Sequence, residues 1–340
     1  MLDKPASTKS GDSSIASEAA AAAHRVAVVI VNFNSGQLLK RCLLSLSRQT
    51  YREFKTLIVD NGSQDSSLHG IVEAFPAVEI LLAHRNLGFA AANNVGIRHL
   101  ADSEWIALLN PDAFPEHDWL ENLLRAAKSQ PQFSFFGSRM LIADRPHLLD
   151  GAGDAYHVSG LVWRQGHGHR ADVGYAIQQE IFSPCAAAAL YRRSVFHDVG
   201  GFDEDYFCYV EDIDLAFRLR LAGHRCLYVP SAVVHHVGSA TTGKQSNFTL
   251  YHGHRNLVWT YIKNMPSWLF WFYLPAHLLL NLASIFWFAI RGQARIVLRA
   301  KLDAFAGIPK MWRKRQVIQE MRSVGAWELR RLMHKGFIRK

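Results

Sequence analysis

Val26-Ala-Val-Val-Ile-Val31, closed by Asn32-Phe-Asn-Ser-Gly36, decides the fold. Six consecutive apolar residues, mostly β-branched, make the kind of strand that a parallel sheet buries on both faces, and the Asn, Ser and Gly that follow are turn formers. A helix is predicted next, through Leu38, Leu39, Cys42, Leu43 and Leu46. The alternation then repeats: strand Phe54–Val59 into Asp60-Asn-Gly-Ser63, strand Val78–Leu82, helix Phe89–Leu100, strand Trp105–Leu109 into Asn110-Pro-Asp112, and a helix near Glu116–Lys128. Strands and helices at this spacing predict βαβ units and an α/β fold. Ligands of such sheets bind beyond the carboxyl ends of the strands, where Asn32, Asn34, Asp60, Asn61, Asn110 and Asp112 fall. Turn chemistry explains any one of these loops taken alone, but their combination suits a nucleotide: Asp60 for a base or ribose, Asp112 for a divalent cation bridging two phosphates. Neither a G-x-x-x-x-G-K-[ST] loop nor a G-x-G-x-x-G fingerprint is present, which excludes a P-loop ATPase and an ordinary dinucleotide dehydrogenase.

A second stretch, Gly200 to Gly223 (GGFDEDYFCYVEDIDLAFRLRLAG), crowds Asp203, Glu204, Asp205, Glu211, Asp212 and Asp214 into a turn and the start of a helix. Ile213, Ala216, Phe217 and Leu221 recur at helical spacing, so Glu211 and Asp212 sit at a helix N-terminus, where backbone N–H groups favour carboxylates. Capping needs one or two acids, not six. Mutual repulsion raises carboxylate pKa, the property a general base working near neutral pH requires.

Of the 340 residues, the last fifty carry fourteen Lys and Arg against three Asp and Glu, a net +11, so the +9 of the whole chain leaves residues 1–290 at −2. Cys42, Cys185, Cys208 and Cys226 show no C-x-x-C spacing and read as buried reduced thiols rather than a zinc site or a disulfide framework. Residues 1–24 read as a disordered leader without a secretory core, 25–243 as the α/β domain, and 244–340 as a helical region, first apolar and then basic.

Six motifs occur in one order: Val31-Asn-Phe-Asn34, Val59-Asp-Asn-Gly-Ser63, Asn86-Leu-Gly-Phe-Ala-Ala-Ala-Asn-Asn94, Leu109-Asn-Pro-Asp112, Val199-Gly-Gly-Phe-Asp-Glu204 and Tyr209-Val-Glu-Asp-Ile-Asp-Leu215. In that order they resemble the family 2 inverting glycosyltransferases, most closely the rhamnosyltransferase-like branch, from roughly Arg25 to Thr242. The resemblance implies a GT-A fold, a Rossmann-like mixed sheet flanked by helices. It implies that Asp60 and Asn61 hold the nucleoside, with Asn32 and Asn34 on the same side, and that Asn86, Gly88 and Asn94 line the donor site. Asp112 would bind Mg2+ or Mn2+, and Asp212 of the Glu211–Asp212 pair would be the base. Asn110 stands where many relatives carry an Asp, and one negative charge fewer weakens cation binding. Of the two histidines in Ala232-Val-Val-His-His-Val237, the resemblance makes His235 a third ligand and leaves His236 as a hydrogen-bonded strand-end residue. The Gly166-His-Gly-His169 stretch reads as a flexible acceptor loop, and Phe182–Tyr191 as a tightly packed strand.

Residues 267–290 have the length and hydropathy of a membrane span. Pro275, His277 and Asn281 interrupt it, and a single span would put the basic tail outside, so two short interfacial helices broken near Pro275, or a re-entrant hairpin, are expected instead. The basic amphipathic tail suits an anionic membrane surface better than nucleic acid. The expected enzyme therefore works at the cytoplasmic face of the inner membrane, taking a nucleotide-diphospho-sugar donor, by branch resemblance dTDP-rhamnose, and a polyprenyl-diphosphate-linked saccharide acceptor. The alternatives are a non-catalytic nucleotide-sugar-binding scaffold and, more remotely, a nucleotidyltransferase.

Overall fold

The run Val26–Val31 lies in the middle of a ten-stranded mixed sheet. Val26, Val28 and Ile30 enter the core on one face, Ala27 and Val29 the core on the other, which is why no polar residue alternates with them. The structure is a computed structural model that describes residues 25–238 and 246–336; the expected leader and the expected boundary at residue 243 lie outside the described residues.

In chain order the first half comprises β1 (Val26–Asn32), α1 (Gln37–Leu46), β2 (Phe54–Asp60), α2 (Ile71–Ala74), β3 (Val78–Leu82), α3 (Phe89–His99), β4 (Trp105–Leu109), β5 (Ala113–Pro115) and α4 (Trp119–Ser129). There follow β6 (Phe135–Ile142), β7 (Arg145–Gly151), β8 (Asp154–Tyr156), β9 (Val162–Arg164), β10 (Gln179–Glu180), β11 (Ala188–Arg192), α5 (Arg193–Asp198), α6 (Glu211–Leu221) and β12 (Cys226–His236). Five helices complete the chain: α7 (Asn247–Asn264), α8 (Ser267–Ala289), α9 (Ala294–Ala306), α10 (Ile308–Glu320) and α11 (Ala326–Leu332). The sheet order is β10-β12-β6-β11-β4-β1-β2-β3, with β5 against β12 and β7 against β6. β4, β1, β2 and β3 are parallel, while β11 runs antiparallel between β4 and β6. The strand expected to end at Val229 continues to His236 through a bulge between Val229 and Val233, where Pro230 costs no ladder bond.

The acidic turn is not left to repel itself. Lys263 of α7, with a side chain only 1% exposed, lies 2.5 Å from Asp203 and 2.7 Å from Asp214. Lys314 of α10 reaches Asp203 and Asp205, Lys310 reaches Asp205, and Arg218 pairs with Asp214 one turn along α6. Glu204 accepts a hydrogen bond from Asn94. Burial alone would raise the pKa of Asp203, but Lys263 and Lys314 hold it well below the usual carboxylate range. The expectation that crowding raises these acids is thus corrected: Asp203, Asp205 and Asp214 are structural anions, and only Glu211 and Asp212 keep raised pKa values.

The expected break at Pro275 is likewise absent, since α8 runs unbroken from Ser267 to Ala289. A proline removes one backbone donor, and here packing on both sides of it outweighs that loss. Leu269 and Phe270 are buried before it. After it, buried His277 hydrogen-bonds the Ser159 carbonyl at 2.8 Å and stacks on Tyr261, with ring centroids 3.9 Å apart. Asn281 donates to the His277 carbonyl. His277 and Asn281 therefore mark the stripe that faces the protein, while Trp271, Phe272, Leu279, Leu282 and Phe286 on the rest of the helix are 64–70% exposed.

Lys263→Ala leaves Asp203 short of one partner and Asp214 short of another in a buried setting, and should lower unfolding free energy by about 3 kcal/mol or more. Arg25→Ala, which breaks an exposed pair with Glu104, should cost less than about 1 kcal/mol in the same urea titration.

Candidate active site

Beyond the carboxyl ends of β1, β2 and β4 opens a cleft of about 1030 Å³. It is lined by Asn61, Asn86, Gly88, Asn110 and Asp112, by Arg164, Glu211 and Asp212, and on α7 by Phe248 and Thr249.

The first loops brace one another. Asn32, fully buried, donates to Asp60 Oδ1 at 2.8 Å and to the hydroxyls of Ser63 and Ser67. Asn34 takes a left-handed conformation (φ 49°) and accepts from the Gln64 N–H. These two asparagines and Asp60 tie the β1 and β2 loops together and are not among the residues that line the cleft. Asn61 does line it, and its amide accepts from Leu87 N–H and donates to Asn86 Oδ1, setting the Asn86–Gly88 loop. At Gly88 (φ 83°) an added Cβ would lie 2.6 Å from the Phe207 ring and carbonyl, so glycine is needed for the loop before α6 to pack there. Asn94, expected beside the donor, turns the other way: it bonds the Phe202 backbone at both ends of its amide, pinning α3 to the acidic turn.

At the β4 end the two histidines exchange their expected places. His235 hydrogen-bonds Glu116 at 3.2 Å, away from Asp112, whereas His236 Nε2 lies 3.4 Å from Asp112 Oδ1 and its Nδ1 lies 2.9 Å from Asp150 Oδ2. Successive residues of a strand point to opposite faces, so only one of the pair can reach the cleft. Burial disfavours the His236 cation, but the carboxylates of Asp112 and Asp150 outweigh it and raise its pKa to about 9. As an imidazolium, His236 is an ion-pair partner for both carboxylates; with a divalent cation in place of that proton on Nε2, Asp112 and His236 would be ligands and Asp150 the support behind the ring. Asn110 lines the cleft beside them and adds no charge.

Asp212 sits in the first turn of α6, its carboxylate accepting from the Ala186 and Ile213 N–H groups. Burial and the nearby Asp154 raise its pKa, Arg164 and the two N–H groups lower it, and the balance is about 6. Glu211 is pushed further up by burial and by Asp212, and its Oε2 has no hydrogen-bond partner among the described residues. Of the two, Asp212 is the one whose carboxylate is held by N–H donors and by the nearby Arg164 cation.

Sequence reasoning missed Arg164. Its guanidinium spans Asp150 at 3.0 Å, Asp154 at 3.2 Å and the Cys185 thiol at 2.7 Å. Asp154, Cys185 and Asp212 gather closely enough for a cation, and Arg164 supplies that positive charge itself. The signal was present in Asp150-Gly-Ala-Gly-Asp154, where a Cβ on Gly151 would strike the Arg164 side chain at 2.4 Å. His167, in the stretch expected to be a flexible acceptor loop, bonds the Asp150 carbonyl through Nδ1.

Residues 27–200 match the model of Glycosyl transferase family 2. The chain is 34% identical over 244 residues to N-acetylglucosaminyl-diphospho-decaprenol L-rhamnosyltransferase of Mycobacterium tuberculosis, covering 64% of this chain and 77% of that protein. It is 28% identical over 218 residues to rhamnosyltransferase WbbL of Escherichia coli, covering 61% of this chain and 81% of that one. Among solved structures it resembles GalNAc-T7 with UDP, GalNAc and Mn2+ (TM-score 0.57, 16% identity, 69% of this chain), of whose length the chain spans about half, 47%. That likeness shows the GT-A fold.

A carboxyl group whose pKa is raised in the folded state stabilises at low pH and loses that contribution as pH rises through the folded value, here about 6. Asp212→Asn should therefore raise stability at pH 8 by on the order of 1 kcal/mol, with the gain shrinking toward pH 5, as read by thermal unfolding at both pH values.

Proposed function

Because this chain belongs to glycosyl transferase family 2, we propose that it is an inverting enzyme that moves a sugar from a nucleotide diphosphate to a hydroxyl of a lipid-linked saccharide in cell-envelope polysaccharide synthesis. The observation that carries this reading is Asp212: a carboxylate with a pKa of about 6, in a cleft that Asn61, Asn86 and Asp112 also line. An acceptor hydroxyl is a poor nucleophile at neutral pH. Asp212 takes its proton as the oxygen attacks the anomeric carbon, the nucleoside diphosphate leaves from the opposite face, and the anomeric configuration inverts. Glu211 lies beside it, its carboxyl pushed well above the usual range by burial and by Asp212. Arg164 limits how far Asp212 rises, so that the base stays deprotonated at pH 7.

Asp112 and His236 would hold a Mg2+ or Mn2+ ion, with His236 in the place first given to His235. Such an ion neutralises charge developing on the leaving diphosphate. Relatives named as rhamnosyltransferases favour L-rhamnose from dTDP-rhamnose as the donor, and the name of the mycobacterial protein favours a polyprenyl-diphosphate-linked N-acetylglucosamine as the acceptor.

The C-terminal helices supply the reason for a membrane location. α8 is long and apolar enough to cross a bilayer by length and composition, yet one stripe of it is packed against the catalytic half, which favours a helix lying in the interface on the cytoplasmic face. Arg291, Arg295 and Arg299 follow it, and each cation near an anionic lipid surface contributes about 1 kcal/mol.

The test is nucleotide release in detergent, with dTDP-rhamnose, UDP-N-acetylglucosamine, UDP-galactose or GDP-mannose as donor and N-acetylglucosaminyl-diphospho-polyprenol as acceptor. Acceptor-dependent release from one donor is expected, falling by about 10³-fold or more in Asp212→Asn and after chelation. The activity should rise with pH through about 6, the limb set by Asp212. Donor binding without turnover of any donor would sink the reading in favour of a non-catalytic nucleotide-sugar-binding protein.

A further inference from the structure

The loop that delivers Glu211 and Asp212 to the cleft is strained. Phe207, Tyr209 and Val210 have φ of 63°, 69° and 69°, three left-handed residues within four positions and none of them glycine. For non-glycine residues such conformations are strained, most for a β-branched side chain like Val210, and they persist only where the surroundings over-determine them. Val210 is also the residue capping α6, and it provides no side-chain cap.

One side chain from outside the family-model match holds this loop. Asn256 of α7, fully buried, turns its amide Nδ2 to three successive targets: the carbonyls of Tyr206 at 3.0 Å, Cys208 at 3.0 Å and Tyr209 at 2.8 Å. Its Oδ1 is held in turn by Arg255 Nε at 2.9 Å, and the same guanidinium donates to the carbonyls of Asp205 and Tyr206. From the other side the Phe207 carbonyl accepts from Ala90 N–H, next to Gly88, so the loop is clamped between the donor wall and α7. Two amide hydrogens thus serve three carbonyls of one short loop.

We infer that Asn256 is a positioning residue for the base: it holds Phe207, Tyr209 and Val210 at positive φ and so sets where α6 begins and where Asp212 points. The inference rests on the proposed transferase reading for its kinetic consequence, but the clamp itself is testable without it. Asn256→Leu keeps the volume and removes both donors. Hydrogen exchange followed by mass spectrometry should show residues 206–212 exchanging about tenfold faster while β1 is unchanged. With the donor and acceptor that support transfer, kcat should fall about 100-fold while KM for the donor stays within about twofold, the signature of a misplaced group rather than lost binding. Adding Val210→Gly, which tolerates φ of 69°, should recover part of kcat. Unchanged exchange at 206–212 overturns the clamp. A loss in which kcat and donor KM worsen together, without recovery on adding Val210→Gly, overturns the positioning role. Faster exchange in a protein that transfers no sugar even as wild type overturns the transferase reading and leaves the clamp standing.

Discussion

The ammonium group of Lys263, sealed from solvent between Asp203 and Asp214, is the interaction on which the arrangement of this protein depends. Removing an ion from water costs several kcal/mol, and the cost is met here only because both carboxylates also find other partners: Lys314 on Asp203, Arg218, Tyr206 and Asn264 on Asp214. Asn256, Thr260, Lys263 and Asn264 recur at helical spacing and are all fully buried, so one face of α7 is a polar stripe read against the acidic turn and α6. A matched polar stripe fixes register more tightly than an apolar one, because a slip of one residue leaves charges unpaired. The apolar core follows the same joint, with Tyr156, Tyr206, Ile213 and Phe217 packing on Trp259, Tyr261, Leu269, Phe270 and Met311.

Electrostatics in the cleft are arranged by similar pairing. Asp150, Asp154 and Asp212 converge on the guanidinium of Arg164; of the three, Asp150 is held low by His236 and Arg164, while burial raises both Asp154 and Asp212. Asp150 serves a second purpose behind His236. One acid thus touches both the cationic group on the base side and the imidazole on the cation side, so the two halves of the cleft share an electrostatic hinge.

Much of this was readable from the chain. The Val26–Val31 run declared a strand buried on both faces, and the polar loops after β1, β2 and β4 fell where an α/β sheet binds ligands. What could not be read were partnerships across long separations and the parity of a strand. Lys263, Lys310 and Lys314 stand 49–111 residues from their aspartates, and the latter two looked like part of a basic, lipid-facing tail. The bulge at Pro230 makes it impossible to count faces along β12, so His235 and His236 could not be told apart. Asp150-Gly-Ala-Gly-Asp154 drew no reading from the sequence, because Gly151 makes room for a side chain, Arg164, that arrives from the next strand of the hairpin. Pro275 misled for a related reason: helix-breaking propensity is a local term, and contacts made by Leu269, Phe270 and His277 outweighed it.

The pairing of Asp203 with Lys314 also has a consequence for how the chain is made. A ribosome releases the acidic turn, α6 and β12 well before it releases α10, the helix that carries Lys310 and Lys314. Until then Asp205 lacks both of its lysine partners and Asp203 one of its two, while Arg218 and Lys263 are already in place for Asp214. The acidic turn therefore reaches its full set of ion pairs only after the apolar helix α8 has emerged.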